Sequence, residues 1–170
     1  MAIRFAILTV SDRSFRGERP DASGPAIVER VTEAGWVVSK QDIRPDDLLT
    51  LRDTLVQWAD SGDFDVILTT GGTGFAPRDV TPEATQAVLE RPAPGLAEAM
   101  RAASLRVTPH AMLSRGVAGI RKHVLIINLP GSPKAALENL EVVIPVLPHA
   151  VQLLQENTQA ERGHQFREKS

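Results

Sequence analysis

Three short segments combine small residues, hydroxyls and charge in a way that suits a bound anion: Ser11-Asp12-Arg13, Gly71-Gly72-Thr73-Gly74 and Pro130-Gly131-Ser132. Each follows a β-rich apolar run and leads toward a helical pattern. Glycine lets backbone N–H groups approach a phosphate closely, and a helix N-terminus adds unpaired donors and about half a positive charge. One such loop reads more readily as a tight turn; two in one small domain favour phosphate. Two carboxylates belong to the same neighbourhood. Asp46 enters the second helical segment, and Asp79 lies between the glycine turn and Thr81-Pro82. Oxygen ligands in that place suit Mg2+, which takes one or two carboxylates plus substrate phosphates. Asp46 also suits a helix N-cap and Asp79 a turn, and Asp47 fits either role.

Other chemistries are disfavoured. No Gly-Lys-Ser/Thr follows the glycines, and their spacing is not GxGxxG, so neither a Walker loop nor a dinucleotide fingerprint is present. There is no cysteine, which removes disulfides, thiolate metal sites and cysteine nucleophiles. His110, His123, His149 and His164 show no i, i+4 pairing, which disfavours zinc. Ser11, Ser114 and Ser132 lie near the proposed loops but in no Gly-x-Ser-x-Gly elbow, so they read as hydrogen-bonding groups rather than nucleophiles. Arg78 and Lys134 are placed either to meet phosphate charge or to face solvent.

The elements that must position these residues alternate. Ile3 to Val10 reads as a buried strand, followed by an unusually polar loop from Ser11 to Gly24. Ala26, Ile27, Val31 and Ala34 mark a helix stopped by Gly35, and Trp36 to Ile43 a second strand. Leu48, Leu51, Leu55 and Trp58 form a helical stripe ending at Ser61-Gly62. Asp65 to Thr70 is a third strand, and Thr81-Pro82 supplies an N-cap and first-turn proline for a helix to about Glu90. A helix over Gly95 to Ser104 follows. Ser114 to Arg121 and Val124 to Leu129 read as a hairpin or two neighbouring strands. After Pro133 comes a helix carrying Ala136, Leu137, Leu140 and Val143, continuing to Leu154 with breaks at Pro145 and Pro148. This order predicts an α/β fold with a mostly parallel sheet and helices on both faces. In such sheets ligands collect beyond the carboxyl ends of the strands, where all three loops fall.

With 170 residues, 42% of them hydrophobic and 24% charged, one folded domain is expected, over 1–156, with a polar tail at 157–170. A net charge of −2 lacks the basic excess that phosphate-backbone binding needs, which argues against nucleic acid. No apolar run reads as long enough for a membrane span and no signal peptide is evident, so a cytoplasmic protein is expected.

Thr69-Thr70-Gly71-Gly72-Thr73-Gly74 followed by Arg78-Asp79-Val80-Thr81-Pro82-Glu83-Ala84-Thr85 resembles the signature of the MogA/MoaB molybdenum-cofactor biosynthesis family. The resemblance continues through Ser11-Asp12-Arg13, Pro45-Asp46-Asp47, Pro94-Gly95, Ser114-Arg115, Gly119-Ile120-Arg121 and Leu129-Pro130-Gly131-Ser132-Pro133-Lys134, covering roughly residues 3 to 155. It implies a three-layer α/β/α molybdopterin-binding fold, assembled as trimers and sometimes hexamers. The adenylyltransferase branch of the family activates molybdopterin with ATP and Mg2+, giving adenylyl-molybdopterin and pyrophosphate before a molybdenum-insertion step by another protein. Asp46 and Asp79 match the two aspartates that serve that reaction as catalytic and metal-binding groups. Ser11, Gly71, Gly72, Thr73, Gly74, Ser114, Pro130, Gly131 and Ser132 match the loops that hold the pterin phosphate and the nucleotide. The competing class implied is a MoaB-type protein that binds or carries molybdopterin without adenylylating it.

Overall fold

Phe5, Ala6, Ile7 and Leu8 are all fully buried, which requires cover on both faces of the strand that carries them. In the computed structural model, which describes residues 2–155, that strand is β1 (Arg4–Val10), interior to a six-stranded sheet. The others are β2 (Val37–Arg44), β3 (Val66–Thr70), β4 (Arg91–Pro92), β5 (Ala118–Arg121) and β6 (Val124–Leu129). Their order is β2-β1-β3-β6-β5-β4; the first four are parallel, while β5 runs antiparallel to β6 and β4 antiparallel to β5. The mostly parallel sheet with helices on both sides is the expected α/β/α arrangement. The predicted tail, 157–170, lies outside the described residues.

Side-chain alternation along β1 divides the interior in two. Phe5 and Ile7 face one layer, made of α2 (Ser23–Glu33), α5 (Pro94–Leu105), α6 (Pro133–Val143) and α7 (Leu147–Leu154). Ala6, Leu8 and Val10 face the other, where α3 (Leu48–Asp60) brings Leu51, Leu55 and Trp58 and α4 (Thr81–Val88) brings Ala84 and Val88. Asn128, 2% exposed on β6, ties α4 to the sheet: its amide donates to Thr69 Oγ1 and Thr85 Oγ1, each at 2.9 Å, and Oδ1 accepts from the Val117 N–H. No buried side-chain nitrogen or oxygen among the described residues lacks a partner.

Several expectations need correction. The polar segment after β1 contains a one-turn helix, α1 (Asp12–Phe15), capped by Ser11, whose Oγ accepts from the Ser14 N–H at 3.2 Å. Thr81 does not cap α4: Val80 holds that position, and the Thr81 hydroxyl donates instead to the Gly71 carbonyl at 2.9 Å. That helix stops at Val88, freeing Arg91–Pro92 to form the short edge strand β4. The β5–β6 pair is a hairpin, but β5 starts only at Ala118, because a 3-10 turn over Pro109–Leu113 and its exit occupy the residues before it. The helical stretch Pro133–Leu154 is 22 residues long with a mean hydropathy of 1.2, enough on those two measures to cross a membrane. Its apolar stripe, Ala136, Leu140, Val143, Leu147, Val151 and Leu154, is instead part of the core against the sheet.

Candidate functional site

The carboxyl ends of β1, β3 and β6 emerge side by side, and the connections that leave them define one cavity of about 920 Å3. The chain turns at Gly71 and Gly72 with φ of 103° and 66°, a region that residues carrying a Cβ rarely adopt. A Cβ on Gly71 would overlap the Val10 carbonyl, and one on Gly72 would overlap Thr81 Oγ1. The loop is stitched at both ends: Gly71 N–H donates to Leu129 O at 3.2 Å and Thr81 N–H to Gly72 O at 3.1 Å. The β6 loop abuts it, since Thr70 Oγ1 donates to Pro130 O at 2.6 Å and a Cβ on Gly131 would lie 3.3 Å from Gly71 Cα. Ser132 Oγ caps α6 by accepting from the Ala135 N–H at 3.2 Å. The N-termini of α1 and α6 thus border the same space.

The two adjacent carboxylates after β2 have separate tasks. Asp47, extended at φ −124° and ψ 121°, accepts from the Thr50 N–H at 2.8 Å and is the N-cap of α3. Asp46 turns the other way and is locked to Asp12 by reciprocal bonds, the Asp12 N–H donating to Asp46 Oδ2 and the Asp46 N–H to Asp12 Oδ1, both at 2.9 Å. Burial pushes the Asp46 carboxyl above the usual carboxylate range; the Asp12 amide opposes this, and the negative charges of Asp12 and Asp79 add to it. Asp79 closes its own turn, with Oδ2 accepting from the Ala76 N–H at 2.9 Å. Both carboxylates rest against glycines of one loop: a Cβ would stand 3.1 Å from Asp46 Oδ1 at Gly72 and 3.0 Å from Asp79 Oδ2 at Gly74.

Of the residues predicted from sequence, Ser11, Asp46, Gly71, Gly72, Asp79, Gly131 and Ser132 line the cavity. Thr73, Gly74, Pro130 and Ser114 do not. The Thr73 and Gly74 carbonyls are taken by Arg115, the Pro130 carbonyl by Thr70, and the Ser114 carbonyl by Arg101. Sequence reasoning names Arg13 and Arg78 but misses the rest of the wall built by the segment after β1, where Arg16 and Arg19 line the same cavity. Arginine at every third position of a polar segment was the available signal. Asp21, also on that wall, accepts from Thr9 Oγ1 at 2.7 Å and from the Gly24 N–H at 3.0 Å, tethering the segment to β1 and the start of α2.

Among the described residues no three His, Asp or Glu side chains gather into a protein-only metal cage. The donor set is therefore of the open kind, carboxylates beside a space large enough for phosphates, which is how Mg2+ is commonly held. Backbone amides, helix N-termini, arginines and carboxylates around one cavity can hold two phosphate-bearing ligands with a divalent cation between them.

Comparison with known proteins gives this arrangement its class. Residues 6–149 match the family described as "Probable molybdopterin binding domain", and the chain belongs to the MogA/MoaB family of molybdenum-cofactor biosynthesis proteins. The crystal structure of the molybdopterin biosynthesis enzyme MoaB from Thermus thermophilus is similar with a TM-score of 0.86 and 54% identity, over 91% of this chain and 98% of that one. Molybdopterin adenylyltransferase from Helicobacter pylori is 43% identical over 154 residues, 89% of this chain and 88% of the relative. Gephyrin from Dictyostelium discoideum is 46% identical over 158 residues, and there the match spans 87% of this chain and only 22% of gephyrin's length.

Proposed function

We propose that this chain is a molybdopterin adenylyltransferase, transferring AMP from Mg-ATP to the terminal phosphate of molybdopterin. The observation that carries this reading is the division of labour at Pro45-Asp46-Asp47: Asp47 caps α3, which leaves Asp46 committed to the cavity that Asp79 also lines. Two carboxylates beside a phosphate-sized space suit a cation-assisted transfer better than simple shelter of an anion, whose charge they repel. In the reaction, an oxygen of the molybdopterin phosphate attacks the α-phosphorus of ATP. A new P–O bond forms, the bond from the α-phosphorus to its bridging oxygen breaks, and pyrophosphate leaves. Magnesium, where bound, lowers the repulsion between the two polyanions and the charge building on the leaving group. Asp46 and Asp79 hold and orient that cation rather than move a proton, because the attacking phosphate is already anionic. The amides of the glycine loops and the N-terminus of α6 grip phosphate oxygens, and the arginines of the opposite wall meet nucleotide or pterin phosphate charge.

The protein works in this reading as a cytoplasmic homotrimer that passes its product to a molybdenum-insertion protein. Phe75, Val107 and Met112, each more than 60% exposed, supply apolar surface for self-association. Light scattering in the micromolar range should give about three times the chain mass, and a monomer mass would contradict it. The activity is tested by incubating the protein with molybdopterin and Mg-ATP: one pyrophosphate should form per adenylyl-molybdopterin. Tight molybdopterin binding with no pyrophosphate would show a MoaB-type carrier instead.

A further inference from the structure

Arg115 lies between the 3-10 turn and β5, and because β5 runs against β6 it reaches the carboxyl edge of the parallel strands from the antiparallel side of the sheet. Its backbone N–H donates to Thr73 O at 2.8 Å. Its Nε donates to Gly74 O at 2.8 Å and its Nη2 to Asp79 O at 2.7 Å, while Nη1 pairs with the Glu83 carboxylate in the first turn of α4. One guanidinium therefore spans the turn that carries Asp79, holding the carbonyl where it begins, the carbonyl where it ends and the helix that follows. The turn's internal bonds are only two, the Asp79 N–H to Ala76 O and the Ala76 N–H to Asp79 Oδ2, each at 2.9 Å. Arg115 does not itself line the cavity.

We propose that Arg115 is a positioning residue for adenylyl transfer: it fixes the 74–79 turn so that the Asp79 carboxylate is presented to the cavity. The assignment rests on the adenylyltransferase reading. The planar fork suits this place, because its Nε, Nη2 and Nη1 each donate to a different acceptor from fixed positions, whereas a lysine offers one point charge on a flexible stem. Misplacing a reacting group by about 1 Å can cost two orders of magnitude in rate, so loosening this turn acts on kcat rather than on substrate affinity.

The test compares the full-length protein with Arg115→Ala and Arg115→Lys by steady-state adenylylation and by residue-resolved hydrogen exchange without ligand or metal. In Arg115→Ala, kcat should fall about 30- to 100-fold with KM for molybdopterin within about threefold of the starting value. Exchange of the Ala76 and Asp79 amides should rise at least about tenfold, while amides of β1, β3 and β6 keep their protection. Arg115→Lys should fall between in both readouts. An unchanged kcat in Arg115→Ala overturns the proposal, and so does a lowered kcat with the turn still protected. If Arg115→Ala loses sheet protection as well, Arg115→Lys decides by the same criterion, lowered kcat together with a loosened turn. Should the parent protein release no pyrophosphate at all, the adenylyltransferase reading fails; the exchange data then still decide whether Arg115 holds the turn, raised exchange supporting it and unchanged exchange overturning it.

Discussion

Asp65 and Asp46 stand at opposite ends of the parallel sheet and are treated in opposite ways. At the amino end, Asp65 is 5% exposed and accepts from the Arg4 backbone N–H at 2.8 Å, from the Arg4 guanidinium at 2.9 and 3.2 Å, and from Gln155 at 3.0 Å. Burial works to raise its pKa, but the Arg4 hydrogen bonds and charge outweigh it and hold the carboxyl below the usual range. At the carboxyl end, Asp46 has no cationic partner in contact, and burial leaves its carboxyl above the usual range beside Asp12 and Asp79. One aspartate is satisfied within the fold and joins β1 to β3. The other is satisfied only in part, by the Asp12 amide and the charge of Arg78, and the proposed cation would supply the rest. The contrast teaches that a buried aspartate matched by a guanidinium is a finished part of the fold, whereas one left facing a cavity beside other carboxylates is a candidate for binding.

Breaking the carboxyl end should have the largest effect. Asp79→Ala is expected to lower adenylylation at least about 100-fold, as loss of charge organisation at a transferring group commonly does, and a pyrophosphate assay checks it. Gly72→Val comes next. The added side chain meets Thr81 Oγ1 and the Asp46 carboxylate at a positive φ, so affinity for molybdopterin or ATP should fall at least about tenfold by titration calorimetry.

Changes at the amino end and at the cap should move stability and leave chemistry alone. Asp65→Asn is expected to cost on the order of 2 kcal/mol in urea unfolding at pH 7 with kcat retained, since charge-assisted bonds to Arg4 are lost while that arginine stays partly solvated. The pH dependence follows from the lowered pKa. The contribution of Asp65 is complete above the unfolded carboxylate value of about 3.9 and is lost as pH falls through the lower folded value, so the two unfolding curves should converge in acid. Asp47→Ala should be smallest, about 1 kcal/mol for a lost N-cap with near-normal turnover. A large loss of turnover confined to Asp47→Ala would transfer the catalytic role one residue along the chain.

Much of the fold is legible in the residues themselves, and the remainder depends on contacts distant in sequence. Runs such as Val66–Thr70 and Val124–Leu129 announce themselves because both faces of an interior parallel strand are buried. The glycine loops and the two aspartates that face the cavity are readable from residue type and place. The division between Asp46 and Asp47 is not, because a Pro-Asp-Asp-Leu entry suits either residue as cap; the extended backbone of Asp47 makes it the cap, and the amide of Asp12, 34 residues away in sequence, holds Asp46. Thr81 looked like a cap because local pattern alone sees no other acceptor, whereas the Gly71 carbonyl stands across the loop. Ser114 and Arg115 exchanged importance for a similar reason. A hydroxyl beside a loop reads as a ligand group, but the reversal of strand direction at β5 brings the guanidinium against the glycine loop and leaves Ser114 in a turn held by Arg101.

Asp46→Asn separates catalysis from folding at the carboxyl end of the sheet, with turnover and unfolding midpoint measured on the same preparation. The amide keeps an oxygen to accept from the Asp12 N–H and removes a half-buried negative charge, and a carboxyl whose folded pKa exceeds its unfolded value costs stability once pH rises above that folded value. Pyrophosphate release from molybdopterin and Mg-ATP should fall at least about 100-fold, with a metal-free midpoint at pH 7 equal to or above that of the parent protein. Near-normal turnover, or a loss of turnover matched by a collapse of the midpoint, would contradict the role given to Asp46.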